Sequence, residues 1–217
     1  MRQNWLGWGW LYNLINGLTA DTAPDMAADH VITRDNSAGV PKKVLARYIG
    51  AGKQTIWVPA GAMVSRTTNG AASGTTESTT NDVMNKTFDF DTTTPEGVQF
   101  TVAFPKGWNE GTVTFQPYWT AASGSGTFIC NLAGVALSDD DAIDTAFGTL
   151  QSSTDTLLTA LDIHVGPESA AITIAGTPAA GDIVYFQVTR DVADTLGVDA
   201  KLIGIKLYYT TDSTTDE

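Results

Sequence analysis

Four stretches of this chain alternate apolar and polar residues with a period of two, and no other feature limits the fold as tightly. Val98, Phe100, Val102 and Phe104 alternate with Gln99, Thr101 and Ala103, while Val113, Phe115, Pro117 and Trp119 alternate with Thr112, Thr114, Gln116 and Tyr118. Val184, Phe186 and Val188 repeat the pattern, as do Ile203, Ile205, Leu207 and Tyr209. Successive side chains of a strand point to opposite faces, so each run offers one face to a core and one to water. Runs at 55–59, 86–91, 128–137 and 170–175 bring the expectation to about eight strands. With Gly, Pro and Asp turns between them, they predict an all-β fold, an antiparallel jelly-roll-like β-sandwich. The composition agrees: 32 threonines stand against only 17% charged residues, which suits sheet better than helix. One short helix is predicted over 139–148. There Ser138 and Asp141 have capping-box spacing, Ile143 and Phe147 lie four apart, and Gly148 provides a stop.

Residues 1–53 read as an N-terminal arm and 54–217 as the head, with Gly50-Ala-Gly-Lys-Gln between them. Trp5, Trp8, Trp10 and Tyr12 crowd four aromatics into eight residues, which is costly to leave in water. Arg2, the apolar run and Leu18-Thr19-Ala20 resemble a short signal peptide, but Gly7, Gly9, Asn13 and Asn16 interrupt it. The run is also too short to span a bilayer. The preferred expectation is an anchor that docks these aromatics into another protein; the alternative is a strand folded back onto its own core. Further on, His30–Thr33 predicts a short strand, Asp35-Asn-Ser-Ala-Gly39 a turn, and Val44–Ile49 a second strand or short helix. Residues 67–82 read as a long polar loop.

Charge and chemistry narrow the function. Seven basic residues face four acidic ones up to Arg66, but five face twenty from Thr67 onward, for a net charge of −12. That balance argues against nucleic acid or an anionic membrane as the main partner. Cys130 is the only cysteine, so an intrachain disulfide or a cysteine-rich zinc site is excluded. His30 lies in the arm hairpin and His164 in an apolar, strand-like stretch, and no Gly-x-Ser-x-Gly elbow or phosphate loop occurs. No catalytic residue, cofactor or metal is assigned. Asp139, Asp140, Asp141 and Asp144 offer carboxylates to a hard cation such as Ca²⁺, but lack the alternate spacing of a Ca²⁺ loop and suit a helix N-terminus better. Asp89 and Asp91 would share a strand face, as a carboxylate pair or as a strand end entering a turn. Trp108, set among turn formers in Pro105-Lys-Gly-Trp-Asn-Glu-Gly111, suits a glycan contact or, as the preferred reading, a plug in a subunit interface. Trp57, Tyr118 and Trp119 are further glycan candidates wherever they are exposed.

Several of these stretches carry a resemblance. The arm, from Ala20-Asp-Thr-Ala-Pro-Asp through Ala28-Asp-His-Val-Ile-Thr-Arg-Asp-Asn-Ser-Ala-Gly to Lys42-Lys-Val, resembles a segment near the N-termini of tailed-bacteriophage fibre and appendage proteins. Thr68-Asn-Gly-Ala, Phe88-Asp-Phe-Asp-Thr-Thr-Thr-Pro-Glu, Trp108-Asn-Glu-Gly-Thr-Val-Thr-Phe-Gln and Glu168-Ser-Ala-Ala-Ile-Thr-Ile-Ala-Gly-Thr-Pro are similar to phage virion proteins. The resemblance implies a structural protein of the virion surface, a short fibre, head spike or decoration protein with a jelly-roll head. It further implies a homotrimer anchored to capsid or tail. The alternative is a carbohydrate-binding module for a host surface glycan. A polysaccharide hydrolase, for which Asp89, Asp91 and the 139–144 cluster are the candidates, stands third.

Overall fold

The computed structural model describes residues 51–213 and 216, together with the backbone of two strands, His30–Asp35 (β1) and Val40–Leu45 (β2). The chain divides into two units, Met1–Ile49 and Gly50–Glu217. In the first, β1 and β2 pair antiparallel from His30 opposite Leu45 to Asp35 opposite Val40. The second strand covers Val40–Leu45, so it begins four residues before the expected Val44, where Val40 pairs with Asp35. Trp5, Trp8, Trp10 and Tyr12 lie outside the described residues.

The second unit is all β. Its strands are β3 (Gly52–Pro59), β4 (Val64–Ser65), β5 (Ala72–Glu77), β6 (Met84–Phe90), β7 (Gly97–Ala103), β8 (Thr114–Thr120), β9 (Gly126–Leu137), β10 (Gln151–Leu157), β11 (His164–Val165), β12 (Ile183–Arg190) and β13 (Ala200–Thr211). One sheet has the order β10-β9-β12-β7-β4 and the other β11-β8-β13-β6-β5, with β3 also paired to β13; every named pair is antiparallel. The chain passes repeatedly from one sheet to the other, as a jelly-roll sandwich requires. The alternating runs become β7, β8, β12 and β13, and their apolar faces meet in one core. Phe100 stacks on Phe186 with ring centroids 5.1 Å apart, and Gly134, opposite Phe186 in the ladder, leaves room for that ring. A Cβ at Gly134 would lie 2.9 Å from the Phe186 ring.

One polar group is built into this core. Arg190, at the end of β12, is 1% exposed and forms a bidentate ion pair with Asp194 through Nε (2.9 Å) and Nη2 (2.8 Å). Nη1 donates to the carbonyls of Phe90 (3.0 Å) and Val198 (2.9 Å), and Nη2 also donates to that of Leu196. All five guanidinium N–H groups are thereby used, so the charge is buried without an orphaned donor.

Several expectations need correction. Residues 139–148 form no helix. Asp141 does accept the Ser138 N–H (2.8 Å), half of a capping box, but the Ser138 hydroxyl donates to Asp182 (2.7 Å) instead of to the first turn. The segment then packs as an irregular strap, with Gly148 donating to the Gly134 carbonyl. Residues 170–175 make no strand; Ile172 bridges to Val113 beside one sheet and Ala175 to Val135 in the other. Residues 67–82 are not all loop, since β5 forms within them.

Candidate functional site

β13 runs through the middle of the six-stranded sheet, and its geometry builds the candidate site on the sheet's outer face. Its ladder with β8 slips between Leu202 and Gly204, a bulge that inserts Ile203. On the other side β13 pairs with β6 up to Leu202 and with β3 from Gly204 onward. Beyond the bulge Ile205 and Leu207 face the core, so Gly204, Lys206, Tyr208 and Thr210 face outward. Gln116 and Tyr118 of β8, and Lys53, Thr55 and Trp57 of β3, share that face. The row from Gly204 to Thr210 extends about 20 Å at 3.3 Å per residue.

Trp57 is the anchor of the row. It is 45% exposed, and its ring meets Tyr118 edge to face, with centroids 5.1 Å apart at 81°. The benzo edge of the indole reaches over Gly204, where a Cβ would lie 2.4 Å from its Cη2. The absent side chain at Gly204 is what lets the indole lie across β13. Lys206 pairs in register with both Trp57 and Gln116, and its Nζ sits over the Tyr118 ring, 5.2 Å from the centroid. Its pKa is raised above the ordinary lysine value, first by the hydrogen bond to Tyr118, so it is cationic at neutral pH. The Tyr208 hydroxyl donates to Gln116 Oε1 (2.9 Å), and the Gln116 amide donates to the Gly166 carbonyl (2.9 Å), which fixes both side chains.

At the far end the face opens into a cleft of about 220 Å³ lined by Lys53, Thr114, Glu168, Tyr208 and Thr210 among others. Lys53 pairs with Glu168 through contacts of 2.5 and 2.6 Å, and its Nζ lies 4.4 Å from the Tyr208 centroid. The Lys53 ammonium and the Thr114 hydroxyl hold the Glu168 carboxyl below the usual carboxylate range.

Of the aromatics singled out in the sequence, the structure brings Trp57 and Tyr118 together and removes the other two. Trp108 is 4% exposed and stacks on Phe104 at 4.3 Å, so it is not a surface glycan contact. The loop that carries it crosses from β7 in one sheet to β8 in the other, which takes the indole into the space between the sheets. Trp119 is fully buried between Phe128 and His164, each 5.0 Å away, and its Nε1 donates to Asp155 (2.9 Å). Tyr208, Lys206, Gln116 and Glu168 were not singled out from the sequence. Lys206 and Tyr208 do interleave with Ile205 and Leu207, so their outward parity was readable.

The remaining candidates have structural employment. His164 is buried, and its Nε2 accepts the Leu158 N–H (3.0 Å); Nδ1 therefore carries the proton and donates to the Asp162 carbonyl (3.0 Å). Asp89 pairs with Lys201 and accepts from Thr87 (2.7 Å). Asp91 organises the following turn by accepting from Thr93 and Thr94, with the Thr93 hydroxyl the first cause of its lowered pKa. Burial pushes the Cys130 thiol well above its ordinary pKa. Among the described residues, which include Asp139, Asp140, Asp141 and Asp144, no three His, Cys, Asp or Glu side chains converge as metal ligands.

No protein-family model matches the chain, and no curated protein does. The solved structures to which the chain is similar include carbohydrate-binding modules. The CBM36-1 domain of a multidomain xylanase from the hindgut metagenome of Trinervitermes trinervoides is 11% identical at a TM-score of 0.37, over 71% of this chain and 96% of that one. The C-terminal family 22 module of Clostridium thermocellum Xyn10B is 12% identical at 0.39, over 74% and 94%. TmCBM27, a module that recognises mannan, is 10% identical at 0.34, over 73% and 99%.

Proposed function

We propose that the second unit is a carbohydrate-binding module whose binding surface is the outer face of the six-stranded sheet. The observation that carries this reading is the row of Trp57, Tyr118 and Tyr208 interleaved with Gln116, Thr55 and Lys206. Aromatic rings stack on the C–H faces of sugars, while amides, hydroxyls and ammonium groups set between them satisfy sugar hydroxyls. The rows are held in place before any ligand arrives, by the Gly204 seat and the Tyr208–Gln116 hydrogen bond, which lowers the ordering cost of binding. The unit binds without hydrolysing. Glu168, the carboxylate in the cleft, is ion-paired with a lowered pKa, the opposite of what a general acid needs.

Native affinity electrophoresis of the full chain through gels containing xylan, mannan or galactan tests the reading. At least one polysaccharide is expected to retard the protein. Trp57→Ala, a change at a half-exposed site, is expected to weaken that binding by about 2 kcal/mol, roughly 30-fold, as loss of a central aromatic anchor does. Unretarded migration in every gel, or a Trp57→Ala variant that runs like the wild type, would remove the module reading.

The virion-appendage reading is compatible with this one, since a glycan-binding head suits the exposed end of a particle. In that reading the protein is a homotrimer on the virion surface, and Trp5, Trp8, Trp10 and Tyr12 anchor it to capsid or tail. Replacing all four with serine is expected to abolish incorporation into particles while leaving the head folded. Wild-type occupancy of the quadruple variant would rule the anchor out.

A further inference from the structure

The charges on the proposed binding face point to the class of glycan, an inference that rests on the module reading. From Gly50 onward the chain carries seven basic and twenty acidic residues, yet Lys53, Lys201 and Lys206 all face outward on this one sheet surface. Two of them are neutralised locally, Lys53 by Glu168 and Lys201 by Asp89. Lys206 is different. The ion pairs among the described residues are those two and Arg190–Asp194, so no carboxylate of the described residues answers the Lys206 ammonium. It stands at the centre of the row, in register between Trp57 and Gln116, with the Tyr118 ring beneath its ammonium. The ring attracts the cation and holds it over the platform without cancelling its charge.

We infer that this face takes a negatively charged glycan, with Lys206 meeting a carboxylate or sulfate group while Trp57 stacks on a sugar ring. The alternative employment for Lys206, general solubility, does not explain its position. A lysine spent on solubility has no reason to sit centrally among aromatic rings, in a body that gains its solubility from excess carboxylates. The net charge of −12 does not forbid such a ligand. At physiological salt the Debye length is about 8 Å, so distant carboxylates are screened while a direct ammonium–anion contact is kept.

Polygalacturonate and its methyl ester make the test, because they share ring faces and hydroxyls and differ in charge; dextran sulfate and dextran repeat the comparison for a sulfate. The full chain is run at 0.15 M salt against each pair. Preference for the charged member of one pair is expected at about fivefold, the upper range of a solvent-exposed ion pair. Lys206→Gln is expected to bring that ratio to near one. Lys86→Gln is expected to keep it, since Lys86 shares the parity of Phe88 and Phe90 and points away from this face. The pair that shows the preference identifies the anion. Equal binding of charged and neutral members by the wild type, or a preference that survives Lys206→Gln, overturns the inference and leaves the module reading standing. No binding to either pair, nor to xylan, mannan or galactan, overturns both.

Discussion

Arg190→Met is expected to cost about 3–5 kcal/mol of stability, the range for breaking a buried ion pair from one side. The side chain ends β12 of one sheet, donates to the Phe90 carbonyl of β6 in the other, and gathers the 191–199 connection through Asp194, Leu196 and Val198. Methionine fills similar volume but leaves the Asp194 carboxylate buried at 2% exposure with its cation gone, and three backbone carbonyls without their donor. For a body of this size such a loss lowers Tm by roughly 6–20 °C. Removing Asp194 as well, in Arg190→Met/Asp194→Leu, is expected to recover part of the loss, because no uncompensated charge then remains. Urea unfolding of the wild type and the two variants checks this. A single variant within 1 kcal/mol of wild type would mean that the guanidinium is not the tie between the sheets described here.

Trp119→Ala is expected to cost a similar amount, about 3–5 kcal/mol, for a different reason. The indole is fully buried, fills the space between Phe128 and His164, and has no route to collapse that would not also move β11. Trp119→Phe separates the two parts of its role. It keeps most of the ring volume but leaves the Asp155 carboxylate without its indole donor, at about 1–3 kcal/mol. Unfolding followed by circular dichroism measures both. If Trp119→Ala unfolded with the wild-type midpoint, Trp119 would be a surface aromatic after all, and the division between core and platform tryptophans would be wrong.

That division shows how far the sequence alone reaches. Period-two alternation identified β7, β8, β12 and β13 because those strands sit inside their sheets with one face in the core. β5 and β10 escaped for the opposite reason. Each lies at the edge of its sheet, pairs along one side, and needs little apolar surface, so Ala-Ser-Gly-Thr-Thr-Glu and Gln-Ser-Ser-Thr-Asp-Thr-Leu read as loop. The helix at 139–148 failed because a capping box specifies a start and nothing more. Its Ser138 hydroxyl had a better partner in Asp182, forty-four residues away, which no local rule sees. The site was half legible. Trp57 and Tyr118 were on the page as aromatics, but their meeting depends on β3 and β8 flanking β13 from opposite sides, and on a glycine between them. Trp108 is buried, as preferred, but between the sheets of its own unit, because the strands on either side of its loop belong to different sheets.

The position of β13 also governs the order of events as the chain acquires its fold. β8, β6 and β3 all take this strand as a ladder partner, and it follows every one of them in the chain. Gly52 and Thr211, which bond at one end of the β3–β13 ladder, are separated by 159 positions. Until β13 is present the six-stranded sheet has no middle, and its strands expose open edges. Such a topology folds slowly, on the order of milliseconds to seconds for sheet-rich domains, because long loops must close before their pairings stabilise anything. The proposed binding face, which lies across β3, β13 and β8, is therefore among the last surfaces to exist and among the first lost when β13 frays.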